Sequence, residues 1–297
     1  MSKLSSELAA TIAKHIGDEN LLDTPIKGMH FSRWPNPTEP TSYTLAPSIC
    51  IIAQGQKRVM LGEEDYIYDQ ANFLISSVDL PVVANIMTAT PEKPYLGLVM
   101  ELDLKAISQL IVDSGLALNQ MKSANKAIAI GELNEQLLDA FKRLVDLIDE
   151  PESIKILEPV IKREIFYRLL TTNQGLRLSQ MVTAGSHSHH IAKAIDWLKE
   201  FYAKPLNVNE LASDSGMSKS AFYSHFRSIT AMTPLQFQKK LRLNEARRLM
   251  LTENLDAITT TFKVGYESPS QFNREYSRMF GNPPARDIKS FREANLQ

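Results

Sequence analysis

Apolar positions along the 297-residue chain change their period twice. Leu4, Leu8, Ile12 and Ile16 lie four apart and predict that residues 1–24 form an amphipathic helix. From about 28 to 101 the texture becomes short β-type runs: 49–53, 58–61, 66–68, 73–75, 82–87 and 96–100. Gly55-Gln56, Gly62-Glu63 and Asp79-Leu80-Pro81 punctuate them at the close spacing of a small antiparallel sandwich or barrel. Prolines 35, 37 and 40 make residues 34–41 an irregular entry loop. After about 102 the helical period returns. Leu133, Leu137, Phe141, Leu144, Leu147 and Ile148 form one stripe, and Ile154 to Leu170 a second helix. Residues 171–190 read as a linker, which divides the chain into 1–170 and 191–297.

The second region contains one short pattern twice. Leu211-Ala212-Ser213-Asp214-Ser215-Gly216-Met217-Ser218 leads into Phe222, and Thr260-Thr261-Phe262-Lys263-Val264-Gly265-Tyr266-Glu267-Ser268 leads into Phe272. Each copy predicts a short helix, a turn at glycine and a second helix opened by a serine cap, the order of a helix-turn-helix. A shift of 50 aligns Ser218 with Ser268, Ser220 with Ser270, Phe222 with Phe272, Phe226 with Tyr276 and Pro234 with Pro284, with one residue inserted in the second copy. In the first copy 208–213 is the supporting helix and 218–229 the recognition helix. Phe222 and Phe226, four apart, face the core and leave Lys219, Ser220, Tyr223, Ser224 and Arg227 outward. The second copy presents Pro269, Ser270, Asn273 and Arg274, with Ser277 and Arg278 near its end. Asn and Arg can make bidentate contacts to adenine and guanine edges, so Asn273 and Arg274 are the leading candidates for base readout. Between the copies, 233–250 predicts a helix of roughly 27 Å, a spacer close to the ~34 Å turn repeat of B-DNA. Its Lys239, Lys240, Arg242, Arg247 and Arg248 either contact phosphates or form a solvated basic face.

The net charge of −1 conceals an asymmetry. Residues 191–297 hold 16 Lys+Arg against 11 Asp+Glu, and the remainder 17 against 23, so a basic C-terminal region adjoins an acidic N-terminal one. That division suits a polyanion partner for one half only: double-stranded DNA is expected, and a membrane is not. No apolar run approaches the ~18 residues that span a bilayer, the N-terminus lacks a signal-peptide core, and a single cysteine fits a reducing compartment. A cytoplasmic location is expected.

Leu211-Ala212-x-x-x-Gly216-Met217-Ser218, Ala246-Arg247-Arg248-Leu249 and Val264-Gly265-Tyr266-Glu267-Ser268 through Phe280-Gly281-Asn282-Pro283-Pro284 resemble the AraC/XylS family of bacterial transcription regulators. Upstream, Pro47 to Lys57 and Ser77 to Val82 resemble the N-terminal domain of its YqhC-like branch. The resemblance implies an α+β chain: a cupin-like β-barrel with flanking helices, then an all-α domain of two helix-turn-helix motifs joined by a linking helix. It further implies promoter binding, a small-molecule effector and, for an activator, contact with RNA polymerase. A homodimer through the middle helices is expected, although that helix pair could instead simply cover the barrel. Carried over residue by residue, base contacts fall on Ser220, Tyr223 and Ser224 and on Ser270, Asn273 and Arg274. The family places an apolar residue and then alanine where this chain has Thr260 and Thr261. Either the second motif is less rigid, or Thr261 bonds back to a main-chain carbonyl.

The N-terminal half shows no catalytic constellation, and neither an enzyme nor a cofactor is expected. Its β-region holds only His30 and no His-x-His, which argues against a cupin metal centre. His187, His189 and His190 are read as solvated linker residues, with a metal as the alternative. Cys50 lies in an apolar run; it packs as a small hydrophobe, lines an effector pocket or senses electrophiles. Phe31, Trp34, Tyr66 and Tyr68 are core aromatics or pocket lining. A β-domain used only for assembly, with no ligand, is the competing reading.

Overall fold

The fold, taken from a computed structural model, is described for residues 3–115, 126–183 and 186–294. Helix α1 (Lys3–Ile16) precedes nine strands: β1 (Leu21–Asp23), β2 (Met29–Trp34), β3 (Thr41–Leu45), β4 (Ser48–Gln54), β5 (Gln56–Leu61), β6 (Glu64–Tyr68), β7 (Asn72–Ser76), β8 (Leu80–Thr88) and β9 (Tyr95–Glu101). Helix α2 (Leu104–Ser114) follows, then β10 (Ile128–Glu132), α3 (Glu135–Asp146), α4 (Pro151–Leu170) and α5 (Gly175–Val182). All strand pairs are antiparallel. They form a six-stranded sheet in the order β1-β2-β9-β4-β7-β10 and a four-stranded sheet in the order β3-β8-β5-β6.

The continuous apolar run in β4 has a physical origin. Ile49 and Ile51 face outward toward α1 and join Phe31, Phe73, Ile75, Leu98 and Met100 in a core that continues into α3 and α4. Cys50 and Ile52 face inward and meet Val59, Leu61, Tyr68, Val82 and Ile86 of the other sheet. A strand buried on both faces needs no polar alternation. Tyr68 and Phe31 are thus core residues, whereas Trp34 and Tyr66 pack at its margin.

The structure departs from the sequence reading in three places. Residues 1–24 are not all helix, because Leu21–Asp23 leaves α1 to pair with β2. Ile128–Glu132 lies in a stretch read as helical, yet it completes the six-stranded sheet against β7. The linker assigned to 171–190 carries α5 and the first turn of α6 (His187–Glu200), with residues 184 and 185 outside the described ones. His187, His189 and His190 therefore sit in a helix capped by Ser186, and His187 stacks on His225 at 3.9 Å between ring centroids.

After α6 come α7 (Val208–Asp214), α8 (Lys219–Thr230), α9 (Pro234–Thr252), α10 (Ala257–Lys263), α11 (Pro269–Phe280) and α12 (Pro284–Ala294). The interior of the β-domain runs without a break into this helical region. Ile191, Leu198, Leu211, Phe222, Phe226 and Phe237 belong to the same cluster as Cys50 and Val59. The amide of Ala127 donates to the carbonyl of Ile229 at 3.0 Å, and Lys199 pairs with Asp79 at 2.7 Å. The second helix-turn-helix has a separate core around Val264, Phe272 and Tyr276.

Candidate nucleic-acid interface

Each motif is built by local rules. Asn207 caps α7 and Ser218 caps α8, its hydroxyl accepting from the amide of Ala221. Asp256 caps α10, and Ser268 caps α11, with Pro269 in the first turn where its missing N–H costs nothing. The two turns match bond for bond. Gly216 and Met217 donate to Ser213 and Ala212, and Gly265 and Tyr266 donate to Phe262 and Thr261. Gly265 has φ +84°, and a Cβ there would lie 2.1 Å from the carbonyl oxygen of Ala203. Neither a left-handed conformation nor that approach tolerates a side chain.

The aromatic pairs predicted to face inward do so. Phe222, Phe226, Phe272 and Tyr276 are fully buried, with the rings tilted to one another and their centroids 5.5–5.6 Å apart within each motif. Lys219, Ser220, Ser224 and Arg227 of α8 are exposed and Tyr223 is half-buried. Ser270, Asn273, Arg274 and Arg278 of α11 are exposed beside half-buried Pro269. Among the described residues, no side-chain hydrogen bond or ion pair occupies Lys219, Ser220, Tyr223, Ser224, Arg227, Asn273 or Arg278. Arg274 makes only a 3.3 Å bond from Nε to the carbonyl of Ser270. Both helices consequently present uncommitted donors to solvent.

The basic residues of α9 are mostly committed, which charge counting did not reveal. Arg242 donates to the carbonyls of Tyr202, Ala203, Lys204 and Gly265 at 2.7–3.2 Å, and so fastens the loop before α7 to the turn of the second motif. Arg247 makes a bidentate pair with buried Asp287 at 2.9 Å and lies over the rings of Phe280 and Phe291. The hydroxyl of Tyr276 donates to the same carboxylate at 2.7 Å; burial, then that bond, pushes its pKa up. Arg248 pairs with Glu245 and Glu253, and Lys239 with Glu275. Burial opposes ionisation of Glu275, but donors from Lys239, Gln271 and Tyr266 outweigh it and hold the carboxyl below its ordinary value. Of the five, only Lys240 has no such partner among the described residues.

The threonine pair divides in two. Both residues are fully buried; Thr261 Oγ1 donates to the carbonyl of Ala257 at 2.7 Å, as one of the two alternatives expected, while Thr260 Oγ1 has no partner among the described residues. In the β-domain, Cys50 is buried with Sγ 3.9 Å from Ser48 Oγ, and burial pushes the thiol pKa up. A protonated, enclosed thiol is a poor nucleophile, so the packing role is the one this geometry supports. No group of three His, Cys, Asp or Glu side chains converges as a metal site among the described residues, nor is any helix among them long and apolar enough to cross a membrane.

Comparison with known proteins agrees with this architecture. Residues 211–290 match the model of a helix-turn-helix domain. The "HTH-type transcriptional activator RhaS" of Escherichia fergusonii is 23% identical over 166 residues, 56% of this chain and 59% of that protein. The regulator CdhR of Pseudomonas aeruginosa is 26% identical over 144 residues, 48% of this chain and 43% of that protein. The chain thus spans less than two thirds of the length of these relatives. ToxT of Vibrio cholerae shares the fold at a TM-score of 0.58 and 10% identity, covering 88% of this chain and 98% of that one. Residues 25–177, slightly more than half of the chain, match the model of the AraC-type transcriptional regulator N-terminus, and the chain belongs to that family.

Proposed function

We propose that this chain is a sequence-specific DNA-binding regulator of transcription that answers to a small effector and reads promoter DNA with α8 and α11. The observation that carries the reading is the pair of capped helices, each buried on an aromatic face and each presenting donors with no protein partner. Lys219, Ser220, Tyr223, Ser224 and Arg227 serve the first reading head; Pro269, Ser270, Asn273, Arg274 and Arg278 serve the second. Helix α9, 19 residues and about 28 Å long, holds the heads apart, and the Arg242 bonds fix their relative orientation. Activation, the sense carried by the RhaS name, is the sign of regulation assigned, with RNA polymerase as the further partner.

A homodimer is part of the proposal. Ile156, Val160 and Tyr167 of α4 are 68%, 63% and 46% exposed, and their spacing of four and seven residues puts them on one face of that helix. A stripe of this kind on a helix otherwise packed against α2, α3 and α5 suits a self-complementary contact, and two-fold symmetry would match paired half-sites. The test of the reading is Arg274→Ala in the full chain, with bound DNA mapped genome-wide and affinity measured at the sites found. Loss of a bidentate base contact costs about 1–3 kcal/mol and relaxes preference at one base pair. An unchanged binding profile overturns the assignment.

A further inference from the structure

A cleft of about 1040 Å³ opens where the β5–β6 hairpin meets the ends of both reading helices. Leu61 and Val83 supply its wall on the β-domain side, and Leu243 and Met279 the wall on the helical side. Three cations face it: Arg227 from the last turn of α8, Lys240 from α9 and Arg278 from the last turns of α11. Two other lysines at the rim are already neutralised, Lys126 by Glu64 and Lys239 by Glu275, both at 2.8 Å. Glu63, exposed on the hairpin tip, is the one rim carboxylate without a partner among the described residues.

Lys240 is the informative group. It is half-buried, burial lowers its pKa, and among the described residues no carboxylate, carbonyl or hydroxyl bonds its ammonium. A desolvated cation with no partner costs free energy that an incoming anion recovers. Three unpaired cations against one unpaired carboxylate leave the cleft positive. Its apolar walls distinguish it from a phosphate-backbone contact, which is exposed and polar.

We propose that this cleft binds an amphiphilic anion, its apolar body against Leu61, Val83, Leu243 and Met279 and its carboxylate or sulfonate on Lys240, and that this ligand and DNA compete for Arg227 and Arg278. The site deepens the effector half of the proposed function, and its DNA arm rests on that reading. Both arginines end helices assigned to DNA, so an anion in the cleft draws them inward. By linkage, the ligand then weakens DNA binding by the factor through which DNA weakens the ligand. The effector acts on the reading helices themselves and needs no movement of the β-domain.

The probe is 8-anilinonaphthalene-1-sulfonate, titrated into the full chain and followed by its fluorescence, with the uncharged N-phenyl-1-naphthylamine in parallel. The expected result is one sulfonate site per chain, weakened at least tenfold by Lys240→Gln and more by Met279→Glu, at an unfolding midpoint that Lys240→Gln does not lower. The uncharged probe binds more weakly and does not respond to Lys240→Gln. A sulfonate affinity that Lys240→Gln leaves unaltered overturns the site. Complete displacement by equimolar inorganic phosphate overturns the amphiphilic ligand class. In the DNA arm, saturating promoter duplex lowers probe affinity, and the Arg227→Gln/Arg278→Gln double variant removes that effect. Unchanged affinity with duplex demonstrably bound overturns the competition, whereas absence of any duplex binding by anisotropy defeats the regulatory reading and leaves the probe site standing.

Discussion

Replacing Thr260 by valine should make the second helix-turn-helix more stable. Thr260 is fully buried in α10, and its Oγ1 has no hydrogen-bond partner among the described residues. Valine is nearly isosteric and keeps the branched Cβ, so the exchange removes a desolvated hydroxyl while changing neither volume nor rotamer freedom appreciably. A buried polar group without a partner costs about 1–3 kcal/mol, and the gain should lie in the lower half of that range because the methyl replacing the hydroxyl meets the same neighbours. Thr261→Val is the internal control. Its hydroxyl already donates to the carbonyl of Ala257, so removing it brings no gain and a loss of up to about 1 kcal/mol. Because this motif has its own core, whole-chain unfolding is the wrong readout. Native-state hydrogen exchange of the amides in α10 and α11 reports the local opening, and a 1.4 kcal/mol gain appears there as tenfold slower exchange. Equal or faster exchange in Thr260→Val would refute the reasoning and show that the hydroxyl is satisfied in solution.

Three further outcomes follow from the same geometry. Gly265→Ala should destabilise the second motif by more than about 2 kcal/mol, through positive φ and the 2.1 Å approach to Ala203, whereas Gly216→Ala, with open space at its Cβ, should cost only the conformational term; native-state hydrogen exchange within each motif distinguishes them. Glu275 is held below its ordinary pKa in the fold, so its contribution is present above the unfolded value near 4.5 and is lost as the pH falls through the lowered folded value; the protection of α11 amides, relative to the intrinsic exchange rate at each pH, should fall in acid, and Glu275→Gln should flatten that dependence. Val160→Glu should convert a dimer to a monomer in sedimentation without lowering the unfolding midpoint, because the side chain is largely exposed in the protomer; a monomeric parent chain would remove the interface.

Much of the helical region is legible because its signals are local. The offset of 50, the serine caps and the buried aromatic pair each follow from spacing within a dozen residues, and all of them reappear in the three-dimensional arrangement. What escapes the sequence is pairing across distance. Arg242 and Arg247 look like phosphate ligands in a basic helix, yet their partners lie 23–40 residues away and convert both into structural ties. Strand β10 escapes for the same reason. Five residues between helices carry too little periodicity to predict a strand, and only register with β7 makes Ile128–Glu132 one.

The two helix-turn-helix motifs differ in what holds them, and this bears on how a signal would travel. Phe222 and Phe226 share a continuous apolar cluster with Cys50, Ile52 and Val59, so the first motif and the β-domain interior cannot repack independently. The second motif reaches that body through α9, through four carbonyl bonds from Arg242 and through the Lys239–Glu275 pair, all of which fix orientation with little shared core. A perturbation of the β-domain is therefore felt first at α8, by packing. It reaches α11 through α9, through these polar ties and through the smaller contact of α11 with β3. The unsatisfied Thr260 hydroxyl is fully buried within this second motif. On that account, stabilising α10 by Thr260→Val should tighten binding to half-sites read by α11 and leave those read by α8 unchanged, by removing an ordering cost that DNA otherwise has to meet. Equal tightening at both would place the flexibility in α9 instead.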